Sequence, residues 1–486
     1  MSIILIPALP LAAVVLSLLP LGRRFAPAVT LLAALGSLVL TVGNALTISR
    51  GREVVAIPGW VQLDGFAALL LLLVTFLSVT AALFSWGYID AHQREPRRIR
   101  YYYAHFNLFT FALALVPVLF QPALVWIAIE FTSVFSVLLV AFDNTHTALE
   151  AAWKYIALMF MGAAIALLGF FVLFWAQEQA GGGHYSWDGL RAVAQQMPPV
   201  LVIAAFLLIL VGLGVKVGFV PLHTWLPDAH SQAPAPVCAL LSGIKTTNSL
   251  YVILRLVPLL PAGSGWAIQS IGLLAAGVAA FLLLQVKDYK RLFAYSTVEH
   301  MGIIFVAAGL GGGVAGQYAS LLQIVSHSVT KSFCFFAAGA VLFVSGTREI
   351  ASVRGLLRRA PAAGTALLLG GLAIGGAPPF AVFLSEFSIF RNGLAQGQYV
   401  GIGLLGLFIT IAFFGILLHV NRMLFGSALP RVAEQSSERH DHLPRTCQLA
   451  LLVAAVPVVV LGVYQPVWLH GLISVAATTL APLSAP

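Results

Sequence analysis

Charge is what this sequence has least of. Asp, Glu, Lys and Arg together make up 9% of its 486 residues, while 60% are hydrophobic. Soluble domains carry about 25% charged residues, so this balance excludes an ordinary soluble globular protein. Cysteine is nearly absent as well. Cys238, Cys334 and Cys447 lie far apart, and no CxxC or similar ligand spacing occurs. An iron–sulfur cluster or structural zinc held by this chain is thereby excluded, and no cofactor or metal is expected in it. A GxGxxG match at 311–316 follows an apolar run rather than a strand, which removes it as a dinucleotide site.

What the sequence does have is apolar runs of 18 residues or more, each long enough for a membrane-spanning helix. They fall at 2–20, 26–48, 66–86, 102–120, 123–142, 152–175, 200–230, 236–258, 265–286, 293–310, 317–345, 363–390, 398–423 and 447–470. The fold class expected is an all-α polytopic membrane protein of about fourteen transmembrane helices. The first run has neither a charged n-region nor an A-x-A cleavage pattern, so it is expected to be retained. The net charge of +9 does not point to nucleic acid, because the cations are placed by topology. Of the 26 Lys and Arg, 17 fall in or beside the loops after odd-numbered runs, from Arg23 and Arg24 to Arg431, Arg439 and Arg445. Only Arg50, Arg52, Arg191 and Arg391 fall in loops of the other set. The positive-inside rule then puts the basic loops in the cytoplasm and both termini on the outer face of a bacterial cell membrane.

Five cations remain inside the runs, Lys154, Lys216, Lys245, Arg255 and Lys331, with four acids, Glu130, Asp228, Glu299 and Glu386. At roughly 2.5–3.5 kcal/mol per charge facing lipid, such groups must face one another or water. Near-equal numbers of each sign, spread over successive helices, point to a line of charges through the interior. His223, His230, His300, His327 and His419 lie in the same runs and are able to relay protons. Simpler readings stand beside these. Lys154 also fits a packing cation near a helix start, the histidines fit satisfied core residues, and Arg255 fits an interfacial arginine whose head snorkels to water. Glu299 and His300 also fit caps of the tenth helix, and Gly214 and Gly218 fit close helix packing.

The run 208–255 concentrates the unusual features: Lys216 sits mid-helix, with Pro221, His223, Pro227, Asp228 and His230 close behind. A proline break beside an ionisable residue is tolerated in a membrane only where it lines a polar interior. A second break, at Pro378 and Pro379, precedes Glu386. Matched breaks in two halves point to inverted repeats with a site in each. The expected organisation is 1–100 as scaffold helices, 101–260 and 261–425 as the two repeats, and 426–486 as a loop and last helix.

The segment LHTWLPDAHSQAPAPVCALLSG, Leu222 to Gly243, resembles the signature of antiporter-like membrane subunits of respiratory complex I, multi-subunit sodium/proton antiporters and membrane-bound hydrogenases. Glu130 in VWIAIEFTSVFSVLLVAF, KDYKRLFAYSTVEHMG from Lys287, SHSVTKSFCFFAAGA around Lys331 and APPFAVFLSEFSIF ending near Glu386 extend the resemblance. It covers roughly 100–400. The resemblance implies two inverted five-helix repeats, each with a broken helix. It also implies a proton path in which Glu130 sets the proton affinity of Lys216 and Lys245 or His327 passes the proton toward Lys331 and Glu386; Lys154, His223 and His230, inside the same runs, are added to that path as candidates. Partners implied are other membrane subunits, a peripheral redox module, the bilayer, and protons or sodium ions. Lys245 departs from the pattern, standing about two residues from the usual position, or about 200° around a helix. The glutamate at 386 and the short chain after the last helix favour the mid-arm subunit type over the outermost one. Within that type, 104–142 and 148–170 are most similar to the component F class of hydrogenase-4 and formate hydrogenlyase complexes. The complex I subunit and a redox-free antiporter or inorganic-carbon uptake subunit are the alternatives.

Overall fold

The computed structural model describes residues 2–93, 95–425 and 442–481. Arg94, Arg431 and Arg439, counted above among the loop cations, lie outside the described residues. The elements are α1 (Ser2–Leu18), α2 (Phe25–Ile48), a hairpin of β1 (Val54–Ile57) and β2 (Val61–Leu63), α3 (Gly65–His92), α4 (Pro96–Val118), α5 (Pro122–Val140) and α6 (His146–Gln179). There follow α7 (Trp187–Ala192), α8 (Pro199–Val217), α9 (Trp225–Gln232), α10 (Ala235–Leu240) and α11 (Thr246–Leu256), then α12 (Gly265–Leu283), α13 (Tyr289–Gly309) and α14 (Gly313–Ser345). The last are α15 (Leu356–Arg359), α16 (Pro361–Ile374), α17 (Ala381–Ala395), α18 (Tyr399–Phe425), α19 (Arg445–Val463) and α20 (Val467–Leu480). Among the described residues, 11 helical stretches are long and apolar enough to cross a membrane.

The polar helices are the central ones. Within the most apolar 18 residues of each stretch, the buried share is 100% in Ala235–Leu259 and 94% in Tyr289–Gly309, against 28% in Tyr399–Phe425 and 33% in Arg445–Val463. Costly side chains are thus kept from lipid by a jacket of apolar helices, as the cost of a charge in hydrocarbon requires. The closest helix pairs meet through glycine. A Cβ on Gly162 of α6 would stand 2.5 Å from Gly212 O of α8, and one on Gly302 of α13 would stand 2.6 Å from Gly272 O of α12. Small residues at such crossings let backbones approach where no hydrophobic effect drives association.

Both expected breaks are present, and each has the same construction. Gly218, at φ 89°, ends α8, and the amides of Gly218 and Phe219 both turn back to Gly214 O. Gly218 is a left-handed cap, where a side chain would be strained, and it is also closely packed, since a Cβ there would stand 2.7 Å from Leu226 Cδ1. Pro221 brings no donor, and the freed Val215 carbonyl is taken by the Trp225 indole N–H at 2.7 Å. The second run breaks between α16 and α17, where Gly376 adopts φ 77°. There the freed Ile374 carbonyl is taken by His300 Nε2 at 3.0 Å.

Loops of the two sets gather at opposite ends of the bundle. At the basic end the backbones at Asp288 and Glu349 form an antiparallel bridge, in which the Tyr289 amide donates to Arg348 O and the Ile350 amide to Lys287 O. At the other end Val61 pairs with Leu119, and the amide of Trp187 reaches Phe120 O. Three expectations are corrected here. Arg255 does not snorkel: it is 6% exposed, forms a bidentate pair with Asp64 at 2.7 and 2.8 Å, and lies among the rings of Phe66, Phe120, Trp187 and Tyr251. Asp64 also caps α3 by accepting from Ala67 N. Lys290 is no loop cation: it is buried and donates to Ser231 O at 3.0 Å and Ala233 O at 2.6 Å, holding the end of α9. The run 447–470 is interrupted at Pro466, so that α19 ends at Val463 and α20 packs separately against α3 and α14. At the basic end a cavity of about 520 Å³ opens between α3, the α5–α6 turn, the α9–α10 junction and the end of α14, lined in part by His92, Asp143, Ser231, Lys290 and Arg348.

Gly212→Val would drive a side chain into the backbone of Ala166 and Gly162. The expected cost is about 1–3 kcal/mol or more, seen as a lower unfolding temperature in detergent. Unchanged thermal stability would show that α6 and α8 do not need this approach.

Candidate functional site

The first cluster is built where α5, α6 and α8 meet the first break. Lys216, the penultimate residue of α8, is fully buried, and its Nζ donates to Glu130 Oε2 at 3.1 Å and Ser133 Oγ at 3.0 Å. Glu130 and Ser133 are three apart on α5, so both project from one face toward the lysine. The second Glu130 oxygen has no protein partner. One turn on, Ser136 bonds the Tyr155 hydroxyl at 2.6 Å and so ties α6 to the same face.

Lys245 follows, at the end of a single π-helical turn, Leu241–Lys245, between α10 and α11. The position that departs from the family pattern thus lies where the helical register itself shifts. Its Nζ lies 4.5 Å from the Tyr155 ring centroid and 4.8 Å from that of Trp225, with Met159 Sδ at 3.3 Å. It is close enough to interact electrostatically with Lys216 and Glu130.

A polar bridge then crosses to the second half. In the π turn, Ser242 Oγ bonds Thr297 Oγ1 of α13 at 2.7 Å, while Ser242 O accepts from His327 Nε2 of α14 at 3.3 Å. The His327 and His300 rings are 5.3 Å apart. His300 Nδ1 contacts Gln323 Nε2 at 3.1 Å, and Gln323 Oε1 accepts from Ser385 Oγ, the neighbour of Glu386. Lys331 donates to Phe293 O at 2.8 Å and to Ser296 Oγ on α13. Glu386 is buried, with its carboxylate lying over Gly376 in the second break. Glu299 is 3% exposed and interacts with both Glu386 and Lys331, and its Oε2 has no protein partner. It belongs to the interior of α13 and not to a helix cap, because α13 starts at Tyr289, ten residues earlier.

The structure therefore brings Glu130, Lys216, Lys245, His327, Lys331 and Glu386 into one interior line. It separates others. Lys154 and Asp228, placed inside by their sequence, lie toward the surface: Lys154 is half-exposed and pairs with Glu150 at 2.7 Å and Asp228 at 3.6 Å. Asp228 also binds Arg291 at 2.6 Å. The reason is that α6 starts at His146, which moves Lys154 to its third turn, on a face turned away from the core. His223 lies in the linker after the first break, its ring 6.2 Å from that of Tyr295. His230 is buried between Trp225 and Phe335, with neither ring nitrogen partnered by protein. His419 bonds Leu283 O at 3.1 Å and fits the simple core reading. Sequence reasoning missed Ser133, Ser242, Gln323 and Ser385, which look like ordinary helix residues and acquire meaning only from their neighbours.

The model of the family described as "NADH:quinone oxidoreductase/Mrp antiporter, TM" matches residues 122–412, which hold every member of that line. The chain belongs to this family. It is 37% identical over 416 residues, 83% of this chain and 85% of the relative, to "Hydrogenase-4 component F homolog" of Methylacidiphilum infernorum (isolate V4). It is 28% identical to "NADH-quinone oxidoreductase subunit N" of Desulforudis audaxviator (strain MP104C), over 84% of this chain and 83% of that one. Among solved structures it resembles a chain of the membrane-bound sulfane sulfur reductase, an archaeal respiratory membrane complex. The TM-score is 0.85 at 26% identity, with 99% of this chain and 98% of that chain covered. This protein is thus an antiporter-like membrane subunit, and its structural relatives are subunits of multi-subunit membrane complexes.

Gly376→Ala tests the second break. A Cβ would collide with Glu386 Oε2 at a φ of 77°, adding about 1–2 kcal/mol of backbone strain. The expected result is a folded protein with a lower unfolding temperature in detergent; an unchanged temperature would show that the second break does not need glycine here.

Proposed function

We propose that this chain is the proton-translocating membrane subunit of an energy-converting redox complex of the hydrogenase-4/formate hydrogenlyase type. The observation that carries the reading is the interior line of Lys, Glu and His running between the two helix breaks. The similarity to the hydrogenase-4 component F homolog supports the complex type. On this reading there are fourteen crossings: α1 to α6, α8 with α9, α10 with α11, α12, α13, α14, α16 with α17, α18 and α19. Residues 101–260 and 261–425 are the two inverted repeats, each containing one break. The basic end faces the cytoplasm of a bacterial cell, and both termini face outward. The chain carries no cofactor, and redox chemistry belongs to a peripheral module reached through other membrane subunits.

The proposed switch is the Glu130–Lys216 pair. A carboxylate beside a buried ammonium favours its charged form, so withdrawal of Glu130 leaves a bare buried cation, which sheds its proton more readily. The proton then passes by Lys245 and His327 toward Lys331 and Glu386. The ion carried is a proton in this reading, since four of the six members of the line, Lys216, Lys245, His327 and Lys331, are amines or an imidazole that exchange protons and give sodium no oxygen ligand.

Lys216→Met is expected to abolish translocation while leaving a folded membrane protein; full translocation by that variant would sink the path. Glu130→Gln is expected to displace the pH dependence of translocation by about one unit, the scale of one charged hydrogen bond. An unaltered profile would count against the pair as the switch. The complex type is tested by mild extraction and mass spectrometry of the co-purifying chains. A nickel–iron hydrogenase module is expected, a flavin-containing NADH-oxidising module would move the chain to complex I, and transporter subunits alone would favour redox-free antiport.

A further inference from the structure

Lys245 differs from the other buried lysines in what neutralises it. Lys216 has Glu130 and Ser133, and Lys331 has a carbonyl and a hydroxyl. Among the described residues no carboxylate lies within ion-pair distance of Lys245. Its ammonium instead faces the Tyr155 and Trp225 rings at 4.5 and 4.8 Å, with the Met159 sulfur completing the seat. An aromatic face attracts a cation through its quadrupole, most strongly where water is excluded. This seat is wholly buried.

Trp225 has a second attachment. It is the first residue of α9, directly after the break, and its indole N–H holds the Val215 carbonyl at 2.7 Å, one residue before Lys216. Its ring also packs on Tyr155, with centroids 5.0 Å apart. One side chain therefore joins the end of α8, the start of α9 and the Lys245 ammonium. Resting on the proton-path reading above, we propose that Trp225 is a positioning residue that seats the Lys245 ammonium by cation–π attraction. Lys245 is then held in place only while α9 stays docked on α8. Displacement of α9 removes the indole from Val215 and from Lys245 together, so the state of the break is passed to the next member of the line. The titratable groups facing Lys245 are Glu130 of α5, Tyr155 of α6, Lys216 of α8 and His230 of α9. The position of Lys245 between Lys216 and His327 is what the seat fixes.

The test is a series of fluorinated tryptophans placed at 225 by codon suppression, in the assembly with which the chain co-purifies, reconstituted in proteoliposomes. Fluorine drains the ring face while keeping its shape, and it strengthens the indole N–H as a donor. Translocation is expected to fall stepwise with each added fluorine, by about tenfold across the series, with the pH profile moving in the same steps. A flat or rising series overturns the proposal, since a role confined to packing or to the Val215 bond predicts one of those two outcomes. Trp225→Phe keeps a ring face and is expected to retain more translocation than Trp225→Leu; equal losses also overturn it. Lys216→Met in the same preparation separates the two levels. If it abolishes translocation while the fluorine series is flat, the path stands and the seat fails. If it translocates fully, the path itself is wrong.

Discussion

A charged side chain inside an apolar bundle must be answered by something nearby, and most of this architecture follows from how that requirement is met. Lys216 is answered by a carboxylate and a hydroxyl from α5, Lys331 by a carbonyl and a hydroxyl from α13, Lys245 by two aromatic faces, and Arg255 by Asp64. Each answer comes from a different helix, so each also fixes how two helices lie against one another. The charges are part of the packing. Their partners are unequal, however. A carboxylate that moves away leaves a costly bare cation, whereas a carbonyl in an intact helix cannot leave. The Glu130–Lys216 pair and the aromatic seat depend on side chains alone, whereas Lys331 also keeps a backbone carbonyl.

The two breaks obey the same rule applied to backbone. Ending a helix in a dry interior orphans carbonyls. Here a ring nitrogen takes one at each site, from Trp225 at the first and His300 at the second. Both rings also touch the central line, Trp225 through Lys245 and His300 through His327. The interruptions are therefore wired into the charged interior by the same side chains that make them tolerable.

Much of this was legible in the sequence. The apolar runs locate most of the long helices, with edges off by up to about six residues, because the cost of polar groups in lipid leaves little freedom. The breaks were marked by proline, and Lys216 with Glu130 by their expense. Failures came where sequence position does not report depth. Lys154 sits in an apolar run but on an outward face, Lys290 sits in a basic loop but under the end of α9, and Glu299 follows that loop yet lies in mid-helix. Hydroxyls and amides such as Ser133, Ser242, Gln323 and Ser385 carry no signal of their own. They cost little to bury in a helix, where a backbone carbonyl always stands ready.

Arg255 and the cavity at the basic end, considered together, give α3 two unlike ends. At its first turn Asp64 is locked to Arg255 by two hydrogen bonds inside a ring of aromatic side chains. At its last turn Tyr88, Ile89 and His92 border an open space of about 520 Å³. The 28 residues of α3, about 42 Å at 1.5 Å per residue, thus run from an aromatic plug at one face of the bundle to a polar vestibule at the other. One helix therefore spans the depth between the plugged face and the polar one, and its length measures how far an ion would have to travel between them.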